Sequence, residues 1–191
     1  MLNRLLQLLR ALPALLVPFV LCGPWAAHAA APQRIVLPQP LLQLALDQAM
    51  PLDYQLPGIL TARASQSLLT LEPTHNQARL DVALTLQSPL LAQWIPDGAV
   101  AGTVALTGGL RYDADRRALF LERPHLDTSG LAAGRLPAQA RRVLEQLIDQ
   151  WLAQQPLYRL RGEQLQIAGI AMVPQTITVI DRGIEIRLRA P

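Results

Sequence analysis

The sequence predicts an α+β domain in which a strongly curved antiparallel β-sheet wraps around one long amphipathic helix, with a short helix ahead of it. Three observations point there. Several segments alternate apolar and polar residues with period two, the mark of strands that cover a core with one face and meet water with the other. Clusters of turn-forming residues separate those segments as hairpin loops should. One segment alone sustains a helical repeat over several turns.

In chain order, residues 35–37 fit a small edge strand, followed by a short helix. Pro40 suits the helix's opening turn, where a missing N–H costs nothing, and Leu41, Leu42, Ala45, Leu46 and Ala49 give it an apolar face before Pro51 ends it. Period-two patterning begins at Gly58. It is clearest over 79–87, where Leu80, Val82, Leu84 and Leu86 share one side and Arg79, Asp81, Thr85 and Gln87 the other. Over 100–112 the residues Val100, Val104, Leu106, Leu110 and Tyr112 share a face with Gly102 and Gly108, whose glycines mark bends or bulges. Turn signals at 72–76, 113–116 and 181–183 each separate two strand-like runs. The long helix is expected over 137–155 and closed by Pro156, with Val143, Leu144, Leu147, Ile148, Trp151 and Leu152 at three- and four-residue steps. At about 1.5 Å per residue it would span about 28 Å and lie across the concave side of the sheet. Strands over 165–172, 176–180 and 184–189 complete one sheet.

The first 29 residues read as a cleaved signal peptide, leaving 30–191 as a single domain. Arg4 and Arg10 stand without an acidic neighbour, 11–21 is apolar, and Ala27-His28-Ala29 offers a small-x-small cleavage site. The apolar run, broken by Pro13 and Pro18, falls short of the roughly 20 residues a spanning helix needs. A soluble periplasmic product is expected. The alternative is a lipoprotein anchored through Cys22, the only cysteine, but bulky Leu21 stands where lipoprotein processing needs a small residue. Removing the leader leaves no thiol, and therefore no disulfide and no thiol catalysis.

The 17 basic and 14 acidic residues give a formal charge of +3, and the leader holds two of the basic ones. The remaining domain is nearly neutral. It lacks the basic stripe with interleaved aromatics that nucleic-acid binding requires, so no nucleic acid is expected as a partner. His75 and His125 lie far apart with no metal-ligand spacing, so no metal or cofactor is expected either. Ser65, Ser67, Ser88 and Ser129 lack a G-x-S-x-G setting. Most carboxylates fall in turns or on polar faces. Glu122 is less easily placed, and it is the residue to change in a screen for hydrolase activity.

Several segments resemble the YceB-like family, bacterial periplasmic proteins and lipoproteins classed as a domain of unknown function. They are Gln154-Gln155-Pro156-Leu157-Tyr158-Arg159-Leu160 after the long helix, Pro57-Gly58-Ile59-Leu60, Leu110-Arg111-Tyr112-Asp113 leading to Ala118-Leu119-Phe120-Leu121, and Val173-Pro174-Gln175-Thr176-Ile177. The resemblance implies a sheet wrapped on a long helix, similar to half of a tubular lipid-binding domain, and brings no catalytic motif.

The expected function is thus non-enzymatic: a periplasmic protein that binds or carries a lipid-like ligand. Its apolar wall is Leu80, Val82, Leu84, Leu86, Val104 and Leu106 on the sheet, facing Leu144, Leu147, Ile148 and Trp151 on the helix. The plainer alternative fills that interface as a dry core and makes the protein an envelope-interaction module, with an exposed apolar patch at Leu90, Leu91, Trp94 and Ile95. An unrecognised hydrolase stands third.

Overall fold

Four long neighbouring strands carry most of the architecture. The computed structural model describes residues 33–132, 137–167 and 169–190, so the expected leader, its cleavage site after Ala29 and Cys22 lie outside the described residues. Along the chain come β1 (Gln33–Pro38), α1 (Gln39–Ala49), β2 (Leu52–Leu56), β3 (Leu60–Glu72), β4 (Gln77–Gln87), β5 (Ala99–Asp113) and β6 (Ala118–Asp127). Then follow α2 (Ala138–Leu152), β7 (Tyr158–Arg159), β8 (Gln166–Ile167), β9 (Ile170–Ala171), β10 (Val173–Ile180) and β11 (Gly183–Arg189). Strands β2 to β7 form a six-stranded antiparallel sheet in chain order, β1-β11-β10 form a three-stranded one, and β8 and β9 pair as a short hairpin. The fold is α+β, mainly β.

The alternation seen in the sequence is realised. Val82, Leu84 and Leu86 on β4 and Val100, Val104 and Leu106 on β5 are buried, and Leu80 packs half-buried beside them. The register aligns Leu80 with Leu106, Val82 with Val104 and Leu86 with Val100, so the inward row is continuous across the two strands. Gly108 marks a bulge as expected, at the register shift between Thr107 and Gly109 against β6. Gly102 marks a close approach. A Cβ there would lie 2.2 Å from the Gly130 carbonyl oxygen, because residues 130–132 run against the first half of β5, with Thr103 N donating to Gly130 O at 3.2 Å.

Strand β3 carries a second bulge, between Ala64 and Gln66. Before it Leu60, Ala62 and Ala64 point inward; after it the parity changes and Leu69 does. Its partner β2 ends at the bulge, which leaves one edge of residues 66–72 without a strand. Helix α1 closes that edge with side chains. Gln39 Nε2 donates to Leu69 O at 2.9 Å and Gln43 Nε2 to Ser67 O at 2.8 Å, while Leu69 N donates to Gln43 Oε1 at 2.8 Å.

One hydrophobic cluster unites Leu42 and Leu46 of α1, the inner rows of β3, β4 and β5, Leu144, Ile148 and Trp151 of α2, and Ile184, Ile186 and Leu188 of β11. Trp151 stacks on Tyr54 of β2 with ring centroids 5.5 Å apart, pinning the end of α2. At the opposite hairpin tip, Val179 N donates to Asn76 Oδ1 at 2.7 Å, tying β10 to the β3–β4 turn.

The structure corrects several expectations. Among the described residues there are three sheets rather than one, while the short helix α1 shares the core with α2 as its apolar face predicts. Helix α2 is shorter than 137–155: after Leu152 the hydrogen bonds tighten to three-residue steps, with Gln155 N donating to Leu152 O at 3.0 Å. Residues 165–172 do not form one strand, because Gly169 at φ +81° turns the chain between β8 and β9. On α1 only Leu42 and Leu46 are buried, while Leu41 and Ala49 face outward.

Candidate functional site

The β4–β5 connection leaves the sheet at Ser88 and folds as two tight turns, Pro89–Leu91 and Pro96–Gly98. Prolines open both, since each supplies the fixed φ of a first turn position. Ser88 is buried and fully bonded. Its Oγ donates to Ile59 O and accepts from Leu90 N at 3.2 Å, its N–H donates to Gly98 O at 2.9 Å, and its carbonyl accepts from Leu91 N at 3.0 Å. The start of β3 and both turns are therefore fastened to one residue. Gly98 must be glycine here: its φ is +60°, and a Cβ would lie 2.5 Å from Ser88 O.

Between this fastened loop and α2 runs an apolar groove of about 260 Å³. Ile59 and Leu60 supply one wall, Leu90, Leu91 and Trp94 a second, and Val143, Leu144 and Leu147 the third, with Ser88 and Gln93 completing the lining. Four of these large apolar side chains stay exposed: Ile59 at 42%, Leu90 at 57%, Trp94 at 37% and Val143 at 53%. Single exposed apolar residues are ordinary, whereas here four converge on one groove.

The ten wall residues expected from the sequence divide in two. Val82, Leu84, Leu86, Val104, Leu106, Ile148 and Trp151 are buried in the common cluster, with Leu80 packed against it. Leu144 and Leu147 reach the groove, where Leu144 touches both environments. The apolar stripe of α2 is wide enough to serve core and groove together: Leu144, Ile148, Trp151 and Leu152 turn inward while Val143 turns out. Leu90, Leu91 and Trp94, singled out as a patch, line the same groove, and Ile95 packs half-buried against the core. Sequence reasoning missed Ile59, Leu60 and Val143 as groove residues. The available signal was an apolar stripe on α2 broader than one core face requires.

The family described as Protein of unknown function (DUF1439) matches residues 40–182, from α1 to the turn before β11. The chain belongs to this family. All of the groove lies within the matched span of the DUF1439 chain. No curated protein matches it.

Elsewhere in the DUF1439 domain the polar groups are mostly exposed. His75 and His125 both face solvent, and among the described residues no cluster of three His, Cys, Asp or Glu side chains could hold a metal ion. Glu122 is exposed beside Arg123 and shares an open recess with His75. The shifted carboxylates lie outside the groove's lining. Hydrogen bonds from the Arg63 guanidinium, at 2.7 and 3.0 Å, hold Asp53 below the ordinary carboxylate range, and the Ser129 N–H does the same for Asp127. Burial pushes the Tyr112 hydroxyl up. No described helix is long and apolar enough to cross a membrane.

Proposed function

We propose that this protein is a non-enzymatic, exported protein of the bacterial periplasm that binds one acyl chain of a lipid-like ligand at the open edge of its helix–sheet interface. The groove with its four exposed apolar side chains supports this reading above all. Its volume of about 260 Å³ lies just under the roughly 300–1,000 Å³ of ordinary small-molecule pockets, which suits the covering of part of one acyl chain. The leader-like first 29 residues support export, and the resemblance to YceB-like proteins supports a lipid-handling role.

An uncharged fluorescent dye that brightens in apolar surroundings tests the reading. The protein binds it, acyl-chain amphiphiles displace it, and Leu90→Ser combined with Val143→Ser abolishes binding without unfolding the protein. Absence of dye binding, together with absence of co-purified lipid in native mass spectrometry, refutes it. A second reading, that a protein partner covers the groove, is favoured by the exposure of Leu90 and Trp94. A photo-crosslinker at Trp94 in living cells separates the two, by capturing lipid in the first case and one reproducible protein in the second.

A further inference from the structure

We infer that the ligand is a single-chain amphiphile with an uncharged, hydroxyl-bearing head, its tail in the apolar groove and its head at the polar groups of a mixed recess, or annex, beside it; this rests on the acyl-chain reading above. The annex is an open recess of about 450 Å³ with a mixed lining, Leu56, Pro57, Pro89 and Ala92 standing beside its polar groups, and it shares Ile59, Leu60 and Ser88 with the groove. An amphiphile has the same bipartite form. The strand register explains the polar half: Gln55 pairs with Thr61, and Thr61 with Gln87, so two amides and a hydroxyl stand in one row across β2, β3 and β4. All three face outward, opposite the buried Leu60 and Leu86. Asp97 closes the recess from the β4–β5 connection.

This lining discriminates by charge. Amides and a hydroxyl each donate and accept, which matches the donor-and-acceptor character of an alcohol. Among the described residues no arginine lines either half, and the chain has no lysine. A carboxylate or phosphate head seated in the annex would meet no cation there and would approach the carboxylate of Asp97. An uncharged head meets neither cost.

The test holds the tail constant and varies the head. Displacement of the bound dye from the purified, delipidated protein is measured with 1-monooleoylglycerol, oleate, oleoyl-lysophosphatidylglycerol and oleylamine. Monooleoylglycerol is expected to bind about tenfold or more tighter than either anion, a gap of about 1.4 kcal/mol or more, and tighter than the amine, whose ammonium can meet Asp97 but has no acceptor for the amide N–H groups of Gln55 and Gln87. Asp97→Asn narrows the gap to oleate while leaving monooleoylglycerol within about twofold, and the near-isosteric Thr61→Val weakens monooleoylglycerol alone. Equal or tighter binding of an anion or of the amine overturns the uncharged head while the acyl-chain reading stands. So does a head preference that neither variant moves. If none of the four displaces the dye, the acyl-chain reading itself fails.

Discussion

Replacing Ser88 by alanine removes one hydroxyl and unfastens two walls of the groove. The hydroxyl donates to Ile59 O and accepts from Leu90 N, so the variant strands one backbone acceptor and one backbone donor. Each such bond is worth about 0.5–1.5 kcal/mol net, and a lost capping serine typically costs about 1 kcal/mol. Ile59 and Leu90 are both exposed, so water restores part of what is lost. The expected destabilisation is therefore about 1–2 kcal/mol, with a fall in Tm of about 2–8 °C for a domain of this size. Urea unfolding followed by circular dichroism measures it. Ser65→Ala is the control, because Ser65 is exposed and reaches Ala83 O only at 3.5 Å; it should stay within about 0.5 kcal/mol of the parent. Dye affinity in Ser88→Ala should fall below that of the control even where both proteins are fully folded. A stability loss under about 0.5 kcal/mol, or unaltered dye affinity, would refute the role given to Ser88.

Two substitutions on α2 separate core from groove: Ile148→Ala should cost about 2–5 kcal/mol in urea titrations, whereas Val143→Ser stays within about 0.5 kcal/mol and loses dye. Trp94 lines the groove while Trp151 is buried against Tyr54, so ligand-dependent changes in tryptophan emission should vanish in Trp94→Phe; their persistence places the ligand elsewhere. Gly102→Ala drives a Cβ into the Gly130 carbonyl and should cost about 1–3 kcal/mol or more, as read by thermal unfolding. Asp53 and Asp127 are held below their ordinary value of 3.8, so their stabilisation is complete above that pH and is lost as the pH falls through their lower folded values. Asp53→Asn should flatten the acid limb of the stability profile, and an unchanged limb would show that the Arg63 pair contributes nothing to it.

Strands were legible where the chain keeps one parity. Leu80 to Leu86 alternate without interruption, and β4 matches the expected segment to within two residues. Strand β3 was harder to delimit because its bulge reverses inside and outside midway, so that Ala64 and Leu69 are both buried although they fall on opposite phases. Strand β2 is short, and its alternation of Leu52, Tyr54 and Leu56 gains meaning only from the pairing with β3. The groove was half legible. Leu144, Leu147, Leu90, Leu91 and Trp94 all stood out, but as two separate sites, since bringing them together depends on Ser88 tying a loop to a strand 29 residues away in sequence. Three-residue helical steps cannot reveal that Ile148 faces packed side chains and Val143 faces open space.

The two glutamines of α1 have a consequence for self-association. An unpaired strand edge is a template on which another chain can add a strand, and aggregation begins there. Gln39 and Gln43 occupy the hydrogen-bonding groups of Ser67 and Leu69 at that edge, so a helix does the work of a missing neighbour strand without continuing the ladder. The exposed Leu68 sits between those two residues and would otherwise be an apolar foothold for an incoming strand. Protection of this edge thereby rests on two uncharged amides, whose hydrogen bonds survive changes of salt and acidity that would weaken a charged edge.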